Sequence, residues 1–352
     1  MSQQSPGKVK LWKRIHMTPD LENSCKDEEA RATPVATFWR RTGAAVADVL
    51  LLGAIGACLG FLWFDQLAAL GRTGRFIGAA IALVYFATLN SQIGQGQTLG
   101  KRLAKIRVTD AKGALISLPR SAFRATIFFA PLALNGTATP PGPYEQLVGI
   151  VLSILIFGVG VAQAYLYCCN RRTGQALHDI VVGTFVREAE SASEIQQKMW
   201  KPHLAIAGGL STLVLGVLLL PYTSDPPDFV SQLAEARRLA QSVVPDAHVS
   251  ISRQTSMMTT PGSGQTPASR VQLSVEVRVK PENFESVADN IAMAMFRSSS
   301  GVGDVGQVVI VISYGYDIII SHARTTKVFA HTPQEWLKRL KLDELHNVVP
   351  PA

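Results

Sequence analysis

Arg41 and Asp48 stand seven residues apart in FWRRTGAAVADVLLLGAIGACLGFLWF, residues 38–64, and the acid lies inside an apolar run. Seven residues are about two helical turns, so the two side chains share a face but sit about 10 Å apart along the axis. No direct pair between them fits an unbroken helix. A carboxylate at mid-span costs about 2.5–3.5 kcal/mol on insertion scales. Its partner is therefore expected from another helix, a water-filled cavity or a bound cation, unless a proton neutralises it. The chemistry open to such a group is passage of an ion, proton or solute. The structural alternative is a hydrogen bond joining helices, for which Gly43, Ala44, Ala45 and Ala47 allow close approach. Asn90 and Gln92, after the next apolar segment, are either partners for the acid or solvated amides.

Other chemistry is sparse. His178-Asp179 has an acid/base reading, but it follows an apolar span in a basic segment, where docking against Lys101 or Arg102 of the other basic loop is the more ordinary role. His248, His322, His331 and His346 are scattered, and neither paired carboxylates nor a Gly-rich phosphate loop accompanies them. Cys25, Cys58, Cys168 and Cys169 lack zinc-site spacing and imply no disulfide framework. No catalytic residue, cofactor or metal is expected, and an enzyme is disfavoured.

The elements that must hold Arg41 and Asp48 are membrane spans. Apolar residues make up 47% of the 352, and runs of about 18 or more mark crossings. Residues 42–64, 147–167 and 204–220 meet or approach that length, whereas 76–91 and 122–134 are shorter. Lys and Arg gather on the cytoplasmic side. Residues 92–121 carry Lys101, Arg102, Lys105, Arg107, Lys112 and Arg120 against Asp110, while residues 135–146 carry no Lys or Arg. About five transmembrane segments with the N-terminus inside satisfy that pattern. Arg120 and Arg124 would then snorkel to headgroups. Residues 222–352 hold 12 Lys plus Arg against 13 Asp plus Glu, so the +8 net charge comes from the membrane half. It is a topology signal, and nucleic acid is not an expected partner.

The predicted organisation is a disordered cytoplasmic tail over 1–35, a four-segment membrane domain over 36–187, a charged, helix-prone linker over 188–203, a fifth helix over 204–221 and an extracytoplasmic domain over 222–352. In the last, three- and four-residue apolar steps from Phe229 to Val243 give a helix, and SRVQLSVEVRV alternates as a half-buried strand. AHVSISRQ is its hairpin partner across the loop TTPGSGQTPAS, Pro281 opens a helix, residues 307–323 form two strands turning at 314–317, and Thr332-Pro333-Gln334-Glu335 is a capping box. The order α-β-β-α-β-β-α predicts an α+β domain with a four-stranded antiparallel sheet beside the α-helical polytopic bundle.

Two stretches carry a resemblance: GQGQTLGKRLAKIRVTDAKGALISLPRSAFR after the second apolar segment and RRTGQALHDIVVGTFVRE after the fourth. With the first span they resemble the RDD family of bacterial membrane proteins over about residues 35–187. The family's first-span Arg and Asp fall on Arg41 and Asp48, its Gln-Thr-x-Gly-Lys-Arg signature on Gln97, Thr98, Gly100, Lys101 and Arg102, and its second aspartate on Asp179, with Asp110 the weaker match. The resemblance implies transport of ligands mostly unidentified, with cation/proton exchange suggested for some members. A fifth span and an external domain of about 130 residues depart from the common family core.

Two readings of function follow. One is a transporter in the bacterial cell membrane, with a monovalent cation or proton as cargo, Asp48 as the binding group and a homo-oligomer completing the path. The other is a non-catalytic receptor or assembly protein, anchored in the bilayer, whose external domain binds an unidentified partner.

Overall fold

The computed structural model describes residues 35–137, 144–191, 194–220, 228–260, 264–297 and 305–342. The tail expected over 1–35 lies outside them except for Val35. Among the described residues four helices are long and apolar enough to cross a membrane: Phe38–Leu62, Phe64–Leu89, Gln146–Cys169 and Pro202–Leu219. The first is α1 (Phe38–Leu62), an uninterrupted run of small and aliphatic residues. The second is built from α2 (Phe64–Leu70), a 3-10 turn over Gly71–Thr73 and α3 (Gly74–Leu89).

The remaining expected crossing differs. The helix Leu118–Leu134 has 17 residues, about 25 Å at the α-helical rise and so short of the hydrocarbon thickness. It contains Pro131 and buries Ser121, Arg124 and Ala125.

Two irregular connections follow their motifs. α4 (Leu99–Leu103) is a single turn after the second span, capped by Thr98. Strand β1 (Ile106–Thr109) follows it, then α5 (Leu118–Leu134). The Gln146–Cys169 helix consists of α6 (Glu145–Ser153), a π-helical turn over Ile154–Gly158 and α7 (Val159–Cys169). After it come α8 (Leu177–Val182) and strand β2 (Phe185–Glu188). β1 and β2 pair antiparallel, with Ile106 opposite Glu188 and Thr109 opposite Phe185. The last residues of the domain expected over 36–187 thus form a strand, in which Val186 buries with Ile106, Val108 and Ile116 in one small core. This ribbon ties the two motif-bearing connections to each other.

After α9 (Pro202–Leu219) the C-terminal domain runs α10 (Asp228–Val243), β3 (His248–Thr260), β4 (Gly264–Val277), α11 (Phe284–Arg297), β5 (Gln307–Asp317), β6 (His322–His331) and α12 (Pro333–Arg339). The α-β-β-α-β-β-α order is as expected, but the sheet is mixed. Its order is β3-β4-β5-β6, and the central β4–β5 pair is parallel, Arg270 opposite Gln307 and Val277 opposite Tyr314. α11 crosses over the sheet between them, and a helical crossover returns the chain in the same direction.

Three boundaries differ as well. β3 and β4 pair out to Thr260 and Gly264, through most of the stretch expected to be an irregular loop. α11 begins at Phe284, three residues after Pro281. The β5–β6 turn lies at Ile318–Ser321 and not at 314–317.

Leu273, Val275, Ile310, Ile312, Ile291 and Trp336 are fully buried in the domain core. The Trp336 indole donates to the Val308 carbonyl at 3.2 Å. The capping box closes as the sequence implies: Thr332 N donates to Glu335 Oε2 at 2.8 Å and Glu335 N to Thr332 Oγ1 at 3.3 Å.

The β5–β6 hairpin reaches the bundle. Tyr314 Oη donates to Asp65 at 2.6 Å, Arg75 pairs with Asp317 at 2.5 Å, and Arg72 meets His248 at 2.5 Å. Glycines on the spans make the approach possible. A Cβ at Gly78 would overlap the Ile318 carbonyl, and one at Gly60 the Tyr316 hydroxyl. At the tip, Ile319 has φ +66, a conformation rare for a β-branched residue, and its amide is held by Asp317 Oδ1 at 2.9 Å.

Candidate functional site

Asp48 is 1% exposed and both its oxygens are occupied. Oδ1 accepts from Tyr85 Oη at 2.7 Å and from the Gly100 amide at 2.8 Å, and Oδ2 accepts from Thr98 Oγ1 at 2.6 Å. Its partners come from α3 and from the turn that opens α4. The Thr98 hydroxyl also accepts the Lys101 amide at 3.3 Å, so one carboxylate and one hydroxyl organise the α4 N-terminus. This explains the spacing Thr-x-Gly-Lys. Thr98 and Gly100 both face Asp48, and a Cβ on residue 100 would overlap the Ala44 carbonyl and crowd the carboxylate.

The signature's other residues separate. Gln97 Nε2 donates to the Ile106 carbonyl at 2.9 Å and holds β1 in place. Lys101 Nζ donates to Asn90 Oδ1 at 2.6 Å, with the ammonium 5.8 Å from the Phe86 ring centre. Asn90 thus serves Lys101 and not Asp48, while Gln92 and Arg102 are exposed. Asp110 accepts the Ala114 amide at 2.8 Å in its own turn, away from the other candidates.

Arg41 pairs with Asp179 at 3.5 Å, donates to the Gly174 carbonyl and stacks over Tyr167 at 5.0 Å. Asp179, wholly buried, also accepts Arg124 Nε at 2.8 Å, Thr184 Oγ1 at 3.0 Å and the Ala176 amide at 3.3 Å. Burial pushes its pKa up, but the Arg124 and Arg41 guanidiniums outweigh that and hold it below the usual carboxylate range. Asp179 pairs with Arg41 and Arg124 of α1 and α5, and not with Lys101 or Arg102 of the other loop, where docking was expected. Arg124, which the sequence placed at the headgroups, is 7% exposed and faces inward. Arg120 donates to the Val182 carbonyl at 2.7 Å.

His178 is 6% exposed and burial depresses its pKa to about 3, so it is neutral near pH 7. Arg124 Nη2 lies 3.0 Å from its Nε2. A guanidinium only donates, so Nε2 accepts and the proton sits on Nδ1. That buried Nδ1 has no hydrogen-bond partner among the described residues.

Burial also drives Lys101 down to about 7, helped by Arg124 and Arg41 and opposed by Asp48 and Asp179. A cavity of about 390 Å³ joins these groups. Its polar lining is Arg41, Asp48, Asn90, Lys101, Arg124 and His178, and its apolar lining includes Phe128, Phe129 and Leu132 of α5 and Ile319 and Ile320 of the β5–β6 turn. Among the described residues no three His, Cys, Asp or Glu gather as a metal site. Tyr85 and Arg124 are the site residues that sequence reasoning missed. The only signal for Arg124 was its face, shared with Ser121, Ala125 and Phe128.

Residues 35–183 match the sequence model of the RDD family. A relative from Bacillus subtilis (strain 168), described as uncharacterized protein YckC, is 24% identical over 159 residues, which is 45% of this chain and 88% of that protein. No solved structure matches.

Proposed function

Taking residues 35–183 as an RDD-family domain of an integral membrane protein, we propose that the chain carries a small solute across the bacterial cell membrane through the cavity between α1, α3 and α5. The observation that carries this reading is a solute-sized space walled by buried charges inside a bundle of spanning helices. Such charges are costly in a bilayer and characteristically mark a path for solutes.

Asp48 has a different role from the bare carboxylate of a cation carrier. Both its oxygens already accept hydrogen bonds, so in this reading it fixes the α4 turn and thereby Lys101. The domain after α9 lies outside the cell, and its β5–β6 turn closes one mouth of the cavity. Passage then requires the turn to withdraw. A second copy of the chain would widen so small a bundle into a full pathway, and no chemical transformation of the solute is involved.

A second reading rests on the same hairpin. Asp65, Arg72 and Arg75 hold the C-terminal domain on α2 and α3, which suits a receptor that reports an external partner to the bundle. Solute flux in sealed liposomes separates the two. A transporter lets the wild type discharge a pH gradient on addition of Na⁺, K⁺ or an organic anion, and removal of residues 228–352 raises or deregulates the flux. A protein inert in every such assay, whose cellular role is lost with those residues, is a receptor.

A further inference from the structure

The formal charges around the cavity do not balance. Arg41, Arg124 and Lys101 bring three cations, and Asp48 and Asp179 two anions, while His178 is neutral. Arg41 and Arg124 are matched by Asp179 and the Gly174 carbonyl, and Asp48 is occupied by Tyr85, Thr98 and Gly100. Lys101 Nζ has a single hydrogen-bond acceptor among the described residues, the Asn90 carbonyl oxygen. His178 adds a second incomplete donor, the buried Nδ1. The polar lining therefore wants one negative charge with hydrogen-bond acceptors, and the aromatic and aliphatic lining begins directly beside it, with the Phe128 ring 5.3 Å from that of His178.

We propose that the cavity binds an amphipathic monoanion, with its charged head group at Lys101 Nζ and its apolar body against Phe128, Phe129, Leu132 and Ile320. A medium-chain carboxylate and an anionic lipid share this chemistry. The proposal rests on reading the cavity as a solute site, and it replaces a cation by an anion as the cargo class.

A proton consequence follows. Near pH 7 the free protein's Lys101 is partly neutral, and an anion stabilises its charged form. Binding above pH 7 therefore takes up a proton. The groups facing Lys101 are Asp48 and Arg41 from α1, Arg124 from α5 and Asp179 from α8. Of these, Asp179 is held well below that pH range by Arg124 and Arg41.

The test uses the full chain in nanodiscs of phosphatidylcholine, with octanoate as probe and calorimetry and a pH dye as readouts. Saturable octanoate binding is expected, with a Kd flat between about pH 6 and 7 and rising about tenfold per pH unit above 7, and with proton uptake at pH 8. 1-Octanol binds at least tenfold more weakly and without proton uptake. Lys101→Gln weakens octanoate at least tenfold. Lys101→Arg retains binding but loses the pH dependence, which shows that the loss in Lys101→Gln is not a folding defect. Nanodiscs containing phosphatidylglycerol distinguish the sources: competition there identifies a lipid head group as the natural occupant, and its absence a free carboxylate. Equal affinity for octanoate and 1-octanol, or unchanged affinity in Lys101→Gln, overturns the proposal. Binding without octanoate flux in liposomes leaves the anion site standing and removes transport alone.

Discussion

The Asp48 carboxylate and the Gly100 amide lie 2.8 Å apart, joining the first span to a loop fifty-two residues later. The contact depends on the missing side chain of Gly100, because a Cβ there would strike the Ala44 carbonyl. Gly100→Ala should cost at least about 1–3 kcal/mol, the usual penalty of overpacking. Asp48→Asn should cost about 1–3 kcal/mol, because an amide nitrogen replaces one acceptor among three donors. The two changes act on one contact, so the double variant should lose less than the summed single losses. Thermal unfolding of the four proteins in detergent checks this, and strict additivity would contradict the shared contact.

Asp179 should be the more costly aspartate to replace. Asp179→Asn leaves Arg41 and Arg124 buried without their carboxylate, and breaking a buried pair from one side costs about 3–5 kcal/mol. Because Arg124 and Arg41 hold the carboxyl below its ordinary range, its contribution is fully present above the unfolded-state pKa near 4 and is lost as pH falls below that. The Tm difference between wild type and Asp179→Asn should therefore be constant from pH 7 to about 5 and shrink further down. A difference that shrinks already between pH 7 and 6 would place the titration elsewhere.

The hairpin seat is testable by charge exchange. Arg75 and Asp317 are 2.5 Å apart and both are partly buried. Reversal of either charge should loosen the turn and speed proteolysis of the C-terminal domain, while Arg75→Asp combined with Asp317→Arg should restore protection. Gly78→Leu should dislodge the turn regardless of charge, since its side chain would occupy the place of the Ile318 backbone. Protease protection equal to wild type in Gly78→Leu would show that the turn does not sit on α3.

Part of this site was legible in the sequence. The two-turn spacing kept Arg41 and Asp48 apart, and each did find a separate partner. The identity of those partners was hidden, because a loop that folds back onto a span leaves no periodicity. Thr98 and Gly100 are ordinary polar-loop residues until Asp48 is set beside them. Arg124 at a helix start reads the same whether it faces headgroups or a buried acid. In the C-terminal domain, alternation identified the buried face of β4, but alternation says nothing of strand direction, which α11 decides. Ile318-Ile319-Ile320 has the β-branched composition of a strand, and only contact with α1 and α3 makes it a turn.

Lys101 supplies a prediction of the same sign as that for Asp179, in a higher pH window. Burial, with Arg124 and Arg41 adding to it, lowers its folded-state pKa to about 7, against about 10.4 when unfolded. Between those values the unfolded chain binds the proton more tightly, so raising the pH favours the folded state. Relative to Lys101→Met, which cannot titrate, the wild type should gain stability from pH 7 to pH 9, by up to about 1.4 kcal/mol per pH unit. Below pH 7 both forms of the wild-type chain carry the charge, and the difference between the two proteins should be level. Tm measured for both at pH 6, 7, 8 and 9 checks the sign. A gap that stays level from pH 7 to pH 9 would mean that a partner in the cavity stabilises Lys101 as a cation, and lipid extraction followed by the same series would show whether that partner is an anion retained from the membrane.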